Sequence, residues 1–198
     1  MELSEAIKWL TKSPVDKYIE IMKLAKTDLS KDKDLKDFKD RFNDFYQIRG
    51  VQWHEDWQTA FYKLFQEKRR EIKNDKKILE EIRKNKEDFF ERIVIELKSS
   101  TKRVEVVFAS KMLHTLMPEC PIWDSLVIKH FKIKVPQNKE KKFEKCKEIY
   151  GQIIDAYENM NQKEKDNYIK IFNKTFPKHK NEISDIKKLD FIIWALEH

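Results

Sequence analysis

Lys102-Arg103-Val104-Glu105-Val106-Val107-Phe108-Ala109-Ser110-Lys111-Met112-Leu113-His114-Thr115-Leu116-Met117 is the least amphipathic stretch of the chain. Its apolar residues run almost all the way round a helical projection. A helix that is apolar on nearly every side must be covered on every side, so residues 102–117 are predicted to form a buried central helix. Val104–Phe108 alone also has strand-like content, but no other segment offers a partner strand. Pro118 and Pro121 then form a turn. The next helix, carrying Leu126, Val127 and Phe131, follows Asp124, whose carboxylate can cap it by accepting from the amide of Leu126 or Val127.

Working outward, amphipathic helical stripes recur along the chain. Ser4 can cap a short helix carrying Ala6, Ile7 and Leu10, and Pro14 suits the first turn of the next. Leu35, Phe38, Phe42, Phe45 and Tyr46 make a stripe that Gly50 ends, and Trp53, Trp57, Phe61, Leu64 and Phe65 make another. Residues 75–98 carry a further stripe with a break near Asn85, and Ser99-Ser100-Thr101 punctuates it. Beyond Pro136, Phe143 to Tyr157 reads as one long helix. Tyr168, Phe172 and Phe176 mark another that Pro177 stops, and Ser184 caps the last, with Ile186, Leu189, Ile193 and Trp194. The expected fold is all-α, about ten helices in one compact domain over residues 1–195 around the central helix. Leu196-Glu197-His198 reads as the start of a purification tag and is set outside that domain.

Composition excludes several classes. The 198 residues include only 2 glycines, where average usage would give roughly 14. Glycine supplies positive-φ turns and close backbone approach to ligands. Accordingly there is no G-x-G-x-x-G or G-x-x-x-x-G-K-[ST] loop and no Asn-Gly or Asp-Gly hairpin turn. A 40% hydrophobic fraction with 13 Phe, 6 Tyr and 5 Trp fills a real core. No apolar run has the length of a membrane span, and the amino terminus, carrying Glu2 and Glu5, does not read as a signal peptide. Cys120 and Cys146 form neither a metal spacing nor a disulfide framework, which fits a cytoplasmic protein. No cofactor or metal site is expected.

The net charge of +7 is unevenly placed. Residues 129–147 carry +6 and residues 98–111 carry +3, which leaves −2 for the rest. This basic excess argues for an anionic partner, DNA among the candidates, against the alternative that lysines merely solvate helix faces. Phosphate contacts are assigned to Lys98 and Arg103, to Lys129, Lys132 and Lys134, and to Lys139, Lys141 and Lys142.

The central helix also carries Ser110, Lys111 and His114, neighbours on one helical surface. A buried Lys or His must be hydrogen-bonded or paired, or it loses its charge. Asp124 and Asp190 are the acidic candidates. Each residue has a structural alternative beside its functional one: a helix cap for Asp124, a paired lysine for Lys111, a satisfied core histidine for His114.

Val104-Glu105-Val106-Val107-Phe108-Ala109-Ser110-Lys111-Met112-Leu113-His114 with Pro121-Ile122-Trp123-Asp124-Ser125 resembles a family of uncharacterised bacterial proteins marked by an F-A-S-K-x-L core and a P-I-x-D-S turn. Ser184–Phe191 with Trp194 and the Phe42–Tyr46 region fit the same family. The order of apolar helix, proline, aspartate and new helix is more distantly similar to the core of 8-oxoguanine DNA glycosylases of the helix-hairpin-helix superfamily. That resemblance implies a Schiff-base lysine, matched in type by Lys102, and an aspartate assisting departure of the base, matched by Asp124. Lys111 sits too far along the helix for the same register. Lys98-Ser99-Ser100-Thr101-Lys102-Arg103 lacks the hairpin glycines of that superfamily, so phosphate contact there would fall to side chains.

Three functions follow as expectations. One is a glycosylase-like enzyme that flips a nucleotide into a pocket, with Lys102 and Asp124 catalytic and Trp123, Lys111 and His114 around the base. The second is a nucleic-acid-binding protein on that scaffold without activity. The third is an interaction or structural protein whose Lys-His-Asp network fixes helix register.

Overall fold

The computed structural model describes Leu10, residues 12–47 and residues 55–197. The expected helix at Ser4, the stop at Gly50 and the start of the stripe at Trp53 lie outside the described residues. Among the described residues there are eleven α-helices and no strand: α1 (Lys12–Leu24), α2 (Asp32–Phe45), α3 (Glu55–Asn74), α4 (Lys76–Lys84), α5 (Lys86–Thr101), α6 (Val106–Leu116), α7 (Ser125–His130), α8 (Lys139–Glu144), α9 (Cys146–Glu158), α10 (Gln162–Thr175) and α11 (Asp185–Glu197). A 3-10 turn at Pro177–His179 follows α10. No helix among them is long and apolar enough to cross a membrane.

The centre is built on α5 and α6. Helix α5 buries Phe89, Phe90, Ile93, Val94 and Leu97 and packs against α3, α6 and α9. Helix α6 is buried without a break from Ala109 to Thr115, as its all-round apolar pattern predicts. It starts at Val106 rather than at Lys102, because Lys102 closes α5 in the left-handed conformation with φ 59°. A non-glycine residue there costs roughly 1–2 kcal/mol. Ser99-Ser100-Thr101 does not interrupt α5. The Ser100 and Thr101 hydroxyls donate to the carbonyls of Glu96 and Leu97, which satisfies acceptors of the last turn.

The break near Asn85 falls where the sequence puts it, between α4 and α5. The long helix read from Phe143 to Tyr157 is instead two: Asn138 caps α8, and Lys145 separates it from α9. Face-to-face aromatics join the elements. Phe38 of α2 stacks on Phe65 of α3 with centroids 4.8 Å apart, and Phe90 of α5 on Tyr150 of α9 at 4.0 Å. Burying each such ring contributes about 1.5–3 kcal/mol.

Helix α11 is tied to the turn after α6. The Ser184 hydroxyl donates to the Pro118 carbonyl at 2.6 Å and accepts from the Lys187 amide at 3.2 Å, so the predicted cap also anchors the helix. Helix α11 packs on α7 and α10 and continues past the expected boundary at residue 195. Leu196 packs against the core, and the Glu197 carboxylate meets both Lys129 and His130 at 3.0 Å. Residues 196 and 197 therefore belong to the folded body.

Candidate functional site

A cleft of about 480 Å³ opens where the start of α1, the end of α2, the middle of α6, the start of α7 and the inner face of α11 meet. This volume lies within the roughly 300–1,000 Å³ typical of small-molecule sites. Phe45, Tyr46, Phe191 and Trp194 supply aromatic wall. Lys17 and Asp44, Lys111 and Asp124, and Lys187 and Asp190 supply six charges, three of each sign.

Lys111 reaches the cleft from α6. Its Nζ donates to the Tyr46 carbonyl at 3.2 Å and lies near the faces of the Tyr46 and Phe108 rings. Among the described residues, no carboxylate hydrogen-bonds it. Burial pushes its pKa down to about 8; Asp124 pulls upward, Lys187 pushes further down, and Asp190 pulls upward. Such an amine is neutral in a useful fraction near physiological pH, which is how proteins activate lysine as a nucleophile or base.

Asp124 stands at the N-cap of α7, and its Oδ1 accepts from the Leu126 amide at 2.8 Å. The capping role read from sequence is observed, and it fixes the carboxylate at the cleft edge. Lys187 and Asp190 form a buried i, i+3 ion pair at 2.5 Å along α11. The Lys187 ammonium also faces the rings of Phe191, Tyr18 and Phe45. Behind this pair, the buried Tyr157 hydroxyl lies against the Asp190 carboxylate. Burial first, and then the negative charges of Asp190 and Asp124, push its ionisation well above the usual tyrosine range.

The other polar residues of α6 turn inward. The Ser110 hydroxyl donates to the Val107 carbonyl and accepts from the Trp123 amide at 2.9 Å. His114 is fully buried, with Nδ1 at 2.7 Å from the Cys120 carbonyl and Nε2 at 2.9 Å from the Tyr18 hydroxyl. A carbonyl only accepts, so Nδ1 carries the proton and neutral His114 accepts from Tyr18 through Nε2. Burial, reinforced by Lys187, pushes its pKa down to about 3. His114 is thus a satisfied core residue and not a wall of the cleft. Trp123 is also buried, stacked on Phe90 at 6.0 Å, so its ring is turned to the core rather than to a ligand.

Lys102 and Asp124 are not brought together. Lys102 is exposed at the end of α5, with its Nζ on the Ser99 carbonyl at 3.1 Å, and it is not part of the cleft. The lysine that shares a cleft with Asp124 is Lys111.

The two basic segments meet at the surface. Lys98 pairs with Glu140 of α8 at 3.2 Å and lies 3.6 Å from the Phe143 centroid. Glu105 lies between the charges of Arg103 and Lys139; its pKa is raised by burial, with both cations pulling it down. Lys132, Lys134, Lys139 and Lys141 are exposed, and Lys142 is half-buried. Lys129 is exposed but paired with Glu197. Among the described residues, no group of three or more His, Cys, Asp or Glu is arranged to hold a metal ion. Burial raises the thiol pKa values of Cys120 and Cys146 to about 12 and about 11, so both are unreactive.

The sequence reading named Asp190 as an acidic candidate but missed Lys187, Lys17, Asp44 and Tyr46. Lys187 is a lysine beside a second lysine near the start of a helix, which carries no signal of burial. Comparison with family models, with curated proteins and with solved structures finds no match to this chain.

Proposed function

We propose that the protein associates with nucleic acid and takes an unstacked nucleotide into the cleft, with Lys111 as the amine and Asp124 as the carboxylate facing the sugar and base. The observation that carries this reading is the opening of Lys111 and Asp124 into one aromatic-walled cleft. A desolvated amine bonded to a backbone carbonyl and a carboxylate fixed by a helix cap are the two groups that glycosylase-like chemistry needs. The exposed lysines of α8 and the connector before it supply phosphate contacts outside the cleft.

In the catalytic version, neutral Lys111 adds through Nζ to the anomeric carbon of the sugar. The glycosidic electron pair leaves with the base, and the proton lost from nitrogen passes to that base or to Asp124. Ring opening of the sugar leaves an imine. Borohydride trapping tests this on duplexes carrying an oxidised guanine or an abasic site. A covalent adduct is expected from the unmodified protein and from Lys102→Ala, and none from Lys111→Met. Salt-dependent binding in fluorescence anisotropy without any adduct reduces the reading to binding alone. Absence of binding at low ionic strength removes it.

A second reading is favoured by the bonds of Ser110, His114 and Thr115, all of which are internal. On that reading the polar face of α6 is a device for helix register. It accounts for these three residues and leaves Lys111 unexplained.

A further inference from the structure

Three carboxylates line the cleft, and each is engaged away from Lys111. Asp44 pairs with Lys17 at 2.7 Å at the mouth. Asp124 accepts the Leu126 amide at 2.8 Å. Asp190 is held by Lys187 at 2.5 Å. Lys187 is itself fixed, its ammonium 4.5 Å from the Phe191 centroid, 5.2 Å from that of Tyr18 and 5.5 Å from that of Phe45. Buried lysines are ordinarily paired with a carboxylate. Here two buried lysines share one cleft with Asp124 and Asp190, and among the described residues only Lys187 has an ion-pair partner.

We propose that the Lys187–Asp190 pair is a positioning device: by holding Asp190 along α11, Lys187 keeps that carboxylate off Lys111 and leaves Lys111 available as a neutral amine. This rests on the reading of Lys111 as the amine of the cleft, and it holds whatever ligand the cleft takes. The arrangement is one of competition. The i, i+3 geometry together with the three rings gives Oδ2 of Asp190 to Lys187, and the Tyr157 hydroxyl lies against the same carboxylate.

The remaining titratable groups around Lys111 fit this account. Tyr46, at the end of α2, and Tyr157, on α9, are kept protonated by burial. His114, on α6 itself, is neutral. Asp124 acts on Lys111 through its charge while its Oδ1 is bonded to the cap. Lys17 and Asp44 offset each other at the mouth. Burial does most to lower the Lys111 pKa, and the charge of Lys187 acts in the same direction.

The test is the pH profile of Lys111 modification in the full chain, by reductive methylation with formaldehyde and cyanoborohydride, read by peptide mass spectrometry. The unmodified protein should show a midpoint near the Lys111 pKa of about 8. In Lys187→Met, Asp190 is released to Lys111; the midpoint should rise by about one pH unit, and labelling at neutral pH should fall about tenfold. The double variant Lys187→Met, Asp190→Asn removes the released carboxylate and should restore labelling to within about threefold of the starting rate. Should Lys187→Met not fold, Lys187→Leu likewise leaves Asp190 without its donor, and the same rise is expected. An unmoved profile in a folded Lys187 variant, or a double variant that fails to recover, overturns the proposal. No nucleic acid enters the assay, so its outcome is separate from that of the trapping experiment.

Discussion

Lys111 and His114 stand three residues apart on α6, and burial lowers the pKa of both, but the consequences fall at opposite ends of the pH range. Lys111 is mostly protonated at neutral pH in the folded chain and wholly so in the unfolded one, so the native state carries most of the cost of burying that charge. A drop from 10.5 to about 8 corresponds to about 3 kcal/mol. The cost is present below the folded pKa and recedes as pH rises from there toward the unfolded value, since the unfolded chain then binds more protons. Lys111→Met removes it but also removes the hydrogen bond to the Tyr46 carbonyl. We expect a net gain of about 1–2 kcal/mol in urea unfolding at neutral pH, together with loss of any adduct. A large loss of stability would mark Lys111 as structural.

His114 behaves differently because it is neutral when folded. As pH falls from the ordinary 6.5 to about 3, the unfolded chain takes up a proton that the native imidazole refuses. Stability is therefore lost across that window, by up to about 5 kcal/mol at its acid end. His114→Gln lacks the titrating group. Its stability should be lower at neutral pH, where one of two buried hydrogen bonds is gone, and its dependence on pH between those limits should be shallower by one proton. Urea titrations at a series of pH values measure both.

At the scale of elements, α7 shows how a cap and a charge are separated. It is six residues long, and Asp124 supplies its capping acceptor. Asp124→Asn keeps a good capping oxygen and removes the charge, whereas Asp124→Ala removes both. The alanine variant should lose about 1 kcal/mol of stability and the asparagine variant only a few tenths. Both should reduce trapping, because Lys111 then faces no carboxylate at the cleft edge. Equal trapping by the asparagine variant and the unmodified chain would leave Asp124 as a cap alone. Calorimetry and borohydride trapping read the two effects independently.

At the scale of the molecule, α5 and α8 bring two basic segments together that lie about 40 residues apart in sequence, joined by Lys98 and Glu140. If this surface contacts phosphates, replacing Lys139, Lys141 and Lys142 with glutamate should weaken binding evenly across sequences. Each lost contact should also lower the slope of log K against log salt by about one. Lys129→Glu is expected to act differently. It places a like charge beside Glu197, so it should destabilise the contact of α7 with α11 as well as any binding. Anisotropy over a salt series, paired with thermal unfolding, distinguishes these effects.

The sequence by itself determined the helical class, the buried run of α6, the Asn85 break and the caps at Asp124 and Ser184. These depend on periodicity, on residue volume and on hydrogen bonds between residues no more than three apart, all of which are local. It did not determine where α6 starts or that α8 and α9 are separate, since boundaries depend on how the flanking residues pack. Nor did it determine the site. Ser110, Lys111 and His114 look alike as polar residues on an apolar helix, and Lys102 looks closer in type to a catalytic lysine than Lys111 does. Only the tertiary structure turned His114 to the Cys120 carbonyl and Trp123 to Phe90, left Lys102 in solvent, and opened Lys111 to a cleft with Asp124 and Asp190. The physical reason is that charge and exposure at a site are set by what faces a side chain from other helices. Asp190 lies 79 positions from Lys111, and no periodicity along the chain records that distance being closed.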